Sequence, residues 1–403
     1  MTVRIAPHKA AGKITAPPSK SMAHRLLICA ALSERSEISG VDFSEDIKAT
    51  LSCLFRLGAE VDISENRVVI GGLNPFAPPV RSLLDCGESG STLRFLLPLS
   101  LLSGAPVSFS GHGRLMQRPL GIYEEICKEQ GLPFSRENGC VTVCGPLKAG
   151  KFEINGSVSS QFISGMLFAL PRLPAESVIS VSGNMENASY IGLTLKSLAE
   201  FGVRASRLDG RTFRIPGGQT FRNREMRVEG DCSNAAFAEC LNLFGGSVAV
   251  EGLDENTLQG DRVYRGLFRA LCRPEPPVID LSDCPDLAPI MFAVAAAKNG
   301  GKFIGTARLK IKESDRAEAM REELAKLGVP VEIGENSVTV AGGMLRRPSA
   351  PLSGHNDHRI VMSLAVLCSL TGGVITGAQA VSKSYPHFFE DMRKLGIPIE
   401  EAD

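Results

Sequence analysis

Six runs of almost wholly apolar residues recur along the 403-residue chain, each opened by a short polar motif. The motifs are Ser19-Lys20-Ser21, Ser89-Gly90-Ser91, Ser159-Ser160-Gln161, Asp231-Cys232-Ser233, Pro285-Asp286 and Asn356-Asp357-His358. They stand about 70 residues apart, with one shorter interval. The runs behind them, 22–32, 92–102, 162–170, 234–243, 287–297 and 360–370, are too apolar for surface helices and predict core helices. Each motif offers oxygens that can cap a first turn. If all six helices point one way, their free N–H groups and positive dipole ends converge on one region, as a polyanionic ligand requires.

A second pattern lies between these runs. An amphipathic stretch ends in a hydrophobic residue and Gly, as at Leu57-Gly58, Gln130-Gly131, Phe201-Gly202, Leu327-Gly328 and Leu395-Gly396. Glycine there predicts a helix C-cap. Turn pairs follow at Glu65-Asn66, Asn138-Gly139, Asp209-Gly210 and Glu335-Asn336, and Val68-Val69-Ile70 and Val338-Thr339-Val340 read as strands beside two of them. The repeat is strand, apolar helix, strand, amphipathic helix, hairpin. The copy after Asp231 is the least regular, because Leu271-Cys272-Arg273-Pro274 replaces the Leu-Gly signal. About six copies of so long a unit suit two domains of three copies rather than a solenoid. With 43% hydrophobic residues, the chain can fill two cores. Crossings between halves are expected at Pro17-Pro18 and at 227–230.

Charge narrows the function classes. Lys plus Arg equals Asp plus Glu, 44 each, and no basic run marks a nucleic-acid or membrane surface. Anion binding must therefore come from placed cations. Eleven scattered cysteines without Cys-x-x-Cys read as reduced, mostly buried thiols. The opening Met-Thr-Val-Arg-Ile lacks a signal-peptide core, and no apolar run could span a bilayer. The expectation is a cytoplasmic protein.

Several motifs can carry chemistry. Lys20 and Ser21, with Arg25 about one turn on, form an anion site at a helix start. Gly90-Ser91-Thr92 repeats the arrangement with a glycine that admits close approach of a ligand. Ser159, Ser160 and Gln161 add two hydroxyls and an amide. Arg118 and Lys383 stand before Pro119 and Ser384-Tyr385-Pro386. Lys312-Glu313-Ser314-Asp315-Arg316 is expected to open a helix, with Lys312 and Arg316 on one face. Arg359 heads directly into an apolar helix and needs an anionic partner. His355 and His358 lack a third ligand cluster in the sequence, so no metal is expected. The stretch 145–152 nearly matches a nucleotide P-loop, but Phe152 replaces the hydroxyl and a strand pattern follows, so it reads as a hairpin turn.

Together, Pro18-Ser19-Lys20-Ser21, 87–94, Arg118-Pro119, Ser159-Ser160-Gln161, 312–316, 356–359 and Lys383 resemble the enolpyruvylshikimate phosphate synthases, in that family's order over nearly the whole chain. The resemblance implies a two-domain inside-out α/β barrel, each domain three βαβαββ repeats, joined by two crossings. Residues 14–228 would form one domain, and 1–13 with 229–403 the other. It implies transfer of the enolpyruvyl group of phosphoenolpyruvate to the 5-hydroxyl of shikimate 3-phosphate, with release of phosphate and without metal or cofactor. Lys20, Ser21, Arg25, Ser159, Ser160, Gln161, Asp286 and Lys312 would hold shikimate 3-phosphate. Lys20, Gly90, Arg118, Gln161, Arg316, Arg359 and Lys383 would hold phosphoenolpyruvate. Asp286 would serve as base and Glu313 as acid, with Lys20 and His358 assisting. Cations near Glu313 favour its ionised form, so its proton must come by relay or through the substrate. The implied partners are these two small molecules; neither nucleic acid nor membrane is implied, and a monomer is expected. With the cations divided between the halves, shikimate 3-phosphate should draw the two together.

Glu88, Ser91, Asn187 and Arg308 depart from the family's commonest residues. Two other readings compete. The sister transferase acting on UDP-N-acetylglucosamine typically carries a loop cysteine near 111–118, where this chain has none. A non-catalytic anion-binding relative is disfavoured by Lys20, Asp286, Glu313 and Arg359.

Overall fold

The six apolar runs form helices whose starts sit at the polar motifs. In the computed structural model, which describes residues 1–183, 188–343 and 345–402, these are Lys20–Ala31, Gly90–Ser100, Ser160–Ala169, Cys232–Glu239, Ala288–Ala297 and His358–Thr371. Five are capped as expected, by the side chains of Ser19, Ser89, Ser159, Asp231 and Asp357. The sixth is not. A 3₁₀ turn, Pro285–Leu287, precedes Ala288–Ala297, and the N-cap residues there, Cys284 and Leu287, make no side-chain cap bond. Two prolines, Pro285 and Pro289, lack N–H groups to be capped. The Asp286 carboxylate goes to cations instead.

The chain separates into two units, Pro18–Glu229 and Met1–Pro17 with Gly230–Asp403. In the first, three four-stranded sheets share one topology. Leu83–Asp85 runs parallel to Pro106–Ser110, which pairs antiparallel with Cys140–Cys144, itself antiparallel to Phe134–Glu137. Lys151–Asn155, Ser177–Ser182, Thr212–Ile215 and Ser206–Arg207 repeat this order. The third sheet takes its first strand, Glu225–Arg227, from the far end of the unit, parallel to Ser36–Ser39. Edge-on aromatic pairs, Phe95 with Phe168 at 5.4 Å and Tyr123 with Phe162 at 4.8 Å, lock the central helices.

Among the described residues of the second unit, only Val278–Asp280, Gly300–Ile304, Ser337–Ala341 and Val331–Ile333 make a sheet from consecutive segments. The other two borrow from the N-terminus. Thr2–Ile5 lies antiparallel between Gly373–Thr376 and Ile399–Ala402. Ala11–Thr15 runs parallel to Ser247–Glu251, and these are the two described strands of the irregular copy's sheet. Ile14 and Thr15 are rungs of that pairing, so residues 14–17 go with the C-terminal unit rather than opening the N-terminal one.

The five expected C-cap glycines, Gly58, Gly131, Gly202, Gly328 and Gly396, all have positive φ. Two local expectations fail. Residues 145–150 join strands of different sheets, so this stretch is a connection and not a hairpin. Lys312 lies outside the helix it was expected to open. A 3₁₀ turn, Ala307–Ile311, ends at it, and the helix Arg316–Lys326 begins only after its N-cap, Asp315. An aspartate at that position captures the first-turn N–H of Glu318 and fixes a later start. Most cysteines are buried, with Cys140 and Cys144 intermediate and Cys272 exposed.

Candidate functional site

In the N-terminal unit the helix starts gather polar groups around Gly90. A Cβ built there would lie 2.7 Å from Arg118 Nη1, 3.3 Å from Arg94 Nη1 and 3.6 Å from Gln161 Oε1. Gln161 donates to Ser91 Oγ at 3.0 Å and accepts from Arg94 Nη1 at 2.6 Å, tying two helix starts together. Ser159 caps its helix by accepting from Gln161 N at 3.2 Å, and Ser160 is buried. Lys20 is paired with Asp46 at 2.7 Å. Ser21 gives its carbonyl to Arg25 Nη1 at 2.6 Å.

Arg25 is 2% exposed. It donates to Thr194 Oγ1, the Ser21 carbonyl and the Tyr190 carbonyl, and lies over the Phe95 and Tyr190 rings. None of these acceptors is a carboxylate. Burial lowers its pKa to about 10, so the site favours an anion arriving beside it. Glu88, left without a role by the sequence, lies against Gly113, where an added Cβ would meet its Oε2 at 2.6 Å. Arg308 is buried in the turn Ala307–Ile311. Asn187 lies outside the described residues.

In the C-terminal unit Asp286 is the hub. Lys312 Nζ reaches its Oδ1 at 3.2 Å and Arg316 Nη1 the same oxygen at 2.8 Å, while Arg359 Nη2 reaches Oδ2 at 3.1 Å. Burial would raise the Asp286 pKa, but Arg359, Lys312 and Arg316 outweigh it and hold the carboxyl well below the usual range. Arg316 also binds Glu313 Oε2 at 2.8 Å and Asp357 Oδ2 at 2.9 Å. These carboxylates outweigh the desolvation of the 1%-exposed Arg316 and raise its pKa. Arg316 thus ties three carboxylates together. Lys312 titrates low, chiefly through burial. His358 is buried, its Nδ1 3.9 Å from Asp357 Oδ1. Lys383, also buried, donates to the Asn356 carbonyl at 2.7 Å.

The structure adds roles that the sequence did not show. Asp46 and Arg94, inside helices whose pattern looks purely structural, bind Lys20 and Gln161, and Asp357, expected only as a cap, also binds Arg316. Asp261 accepts from Ser233 Oγ. Its pKa is pushed up to about 7, first by burial and then by Asp286. A lone carboxylate in the 3₁₀ turn Gly260–Val263 carries no local sequence signal. The pairing of His355 also differs from expectation, because it meets Glu322 and Glu323 with ligand atoms within 4.8 Å of one another. Glu323 there already receives Lys326 Nζ on both oxygens, at 2.9 and 2.8 Å, which competes with any cation.

The profile of a family described as EPSP synthase (3-phosphoshikimate 1-carboxyvinyltransferase) matches residues 5–392. The chain is 40% identical over 420 residues to a protein named 3-phosphoshikimate 1-carboxyvinyltransferase from Clostridium kluyveri, covering 99% of this chain and 98% of that one. A Clostridium perfringens protein of the same name is 39% identical over 421 residues, with 99% of each covered. A solved EPSP synthase structure from Acinetobacter baumannii, 22% identical, matches the fold with a TM-score of 0.78 over 99% of this chain and 100% of that one.

Proposed function

The chain belongs to the EPSP synthase family, and on that premise we propose that it transfers the carboxyvinyl group of phosphoenolpyruvate to the 5-hydroxyl of shikimate 3-phosphate, releasing phosphate. The observation that carries the reading is Asp286 held by three cations from separate segments, Lys312, Arg316 and Arg359. A carboxylate so neutralised is a weak base until something takes its partners.

Both substrates bring carboxylate and phosphate groups, which compete for the same cations. As Arg359 and Lys312 turn to substrate oxygens, the field that holds Asp286 ionised weakens, and its affinity for the attacking hydroxyl's proton rises. Substrate binding and base activation are then one event. Glu313, on the other side of Arg316, gains proton affinity as phosphoenolpyruvate draws on that guanidinium; it takes up a proton from solvent, passes it to the methylene carbon, and takes one back from the resulting methyl group as phosphate leaves. Lys20, Ser21, Arg25, Ser159, Ser160 and Gln161 hold shikimate 3-phosphate, with Asp286 and Lys312. Gly90, Arg118, Gln161, Arg316, Arg359 and Lys383 hold phosphoenolpyruvate, with Lys20 between the two. Arg94 fixes the Gln161 amide so that its N–H is directed at Ser91.

The test is phosphate release from phosphoenolpyruvate with shikimate 3-phosphate as acceptor and UDP-N-acetylglucosamine as competitor. Release only with the first is expected. Release only with the second would transfer the chain to the sister activity, and none with either would make it a non-catalytic anion binder.

A further inference from the structure

One buried carboxylate next to the site has no part in the reaction described above. Glu323, 1% exposed, lies two turns along the helix Arg316–Lys326 from Arg316. Besides Lys326, it accepts from Ser353 N at 2.9 Å and His355 Nε2 at 2.8 Å. Desolvation would raise its pKa, yet the bonds from His355, Lys326 and Ser353 outweigh that and keep it ionised.

The turn it grips is strained. His355 and Asn356 have φ of +48° and +53°, two successive non-glycine residues in the left-handed region. Such a conformation persists only where its surroundings over-determine it. Gly354 leaves no slack, because a Cβ there would meet Val361 Cγ2 at 2.5 Å. What the turn delivers is specific. The Asn356 carbonyl receives Lys383 Nζ, and Asp357 receives Arg316 while capping Arg359 N at 2.9 Å. The helix Arg316–Lys326 therefore holds this turn at two points, Arg316 on Asp357 and Glu323 on residues 353 and 355.

We propose that Glu323 is a positioning residue for Lys383: by binding Ser353 N and His355 Nε2 it keeps residues 355 and 356 left-handed and so fixes the carbonyl that aims the lysine. This rests on the reading of Lys383 as a phosphoenolpyruvate ligand. The metal-like cluster with Glu322 is then a clamp, closed by Lys326.

The test uses the full-length chain with Glu323→Gln and His355→Phe. Each should raise KM for phosphoenolpyruvate about tenfold, the scale of one misplaced charge-assisted hydrogen bond, with kcat and the KM for shikimate 3-phosphate within about twofold. Adding Asn356→Gly to Glu323→Gln should recover part of the loss, since glycine adopts the left-handed form without strain. A second readout does not need activity. Labelling of Lys383 by an amine-reactive acetyl ester, followed by peptide mass spectrometry, should accelerate in both variants. An unchanged phosphoenolpyruvate KM with unchanged labelling overturns the proposal, as does an equal rise in both KM values. If the wild type releases no phosphate, the functional reading fails by itself, and the labelling rates alone decide whether Glu323 positions Lys383. Should Glu323→Gln fail to fold, His355→Phe carries the same comparison.

Discussion

The two units hold their cations in opposite ways. In Pro18–Glu229, Arg25 donates to hydroxyl and carbonyl oxygens and Arg94 to an amide and a carbonyl oxygen, acceptors that carry no charge. In the other unit Lys312, Arg316 and Arg359 are held by Asp286, Glu313 and Asp357. Neutral acceptors orient a guanidinium without cancelling its charge, which suits binding of an anion. Carboxylate partners cancel it, and couple each incoming anion to the proton affinity of the group displaced. The first arrangement binds; the second can also do acid–base chemistry. Two site lysines break the pattern: Lys20, the lysine assigned to both substrates, is paired with Asp46, and Lys383 in the other unit donates to the Asn356 carbonyl.

The sharpest way to break this contrast is Asp286→Ala. Turnover should fall about 10²–10⁴-fold, as for loss of a general base. The substitution leaves three cations facing one another, so a stability loss of about 3 kcal/mol is expected. Phosphate or sulfate should restore the melting temperature more in the variant than in the wild type. A variant that melts normally without anions would show that the cations are not held by Asp286.

Arg25→Met probes the other half. A buried charge with neutral partners is replaced by an apolar chain of similar length, so the melting temperature should hold or rise. The KM for shikimate 3-phosphate should rise about 10–100-fold, the worth of one or two charge-assisted bonds. A large stability loss with normal KM would make Arg25 a purely structural clasp.

Smaller effects are expected from Gly90→Ala and Asp261→Asn. The new methyl at residue 90 pushes on Arg118 and Arg94, so KM for phosphoenolpyruvate should rise severalfold while that for shikimate 3-phosphate holds. Glyphosate, a phosphonate competitor, should lose more affinity than the substrate. For Asp261, the pKa rises from the ordinary 3.8 to about 7 on folding. The folded state then keeps a proton that the unfolded chain releases, so stability falls as pH rises through that window and is level above it. Asp261→Asn should melt higher than wild type at pH 8, with the gain shrinking toward pH 5. A constant difference across that range would remove the titration of Asp261 from the account.

Much of this molecule was legible in its sequence because local rules set it. Apolar runs behind Ser19, Ser89, Ser159, Asp231 and Asp357 became capped core helices, and glycines at 58, 131, 202, 328 and 396 became left-handed stops. Lys20, Gln161, Asp286 and Arg359 stood out because they are polar residues at the starts of apolar helices, and Gly90 because it leaves the backbone open at such a start. Partnership was not legible. That Asp46 meets Lys20, that Arg94 reaches Gln161 across 67 positions, and that Arg316 is held by Asp357 across 41 depends on which helix starts the sheets place side by side. Nor could spacing show that Lys312 and Arg316 converge on Asp286 from a turn and a helix instead of one helical face, because Asp315 moved the helix start. Caps and turns are decided by interactions within a few residues. The proton affinity of Asp286 or Asp261 is decided by burial and by charges far away in the chain, and only the tertiary structure brings those together.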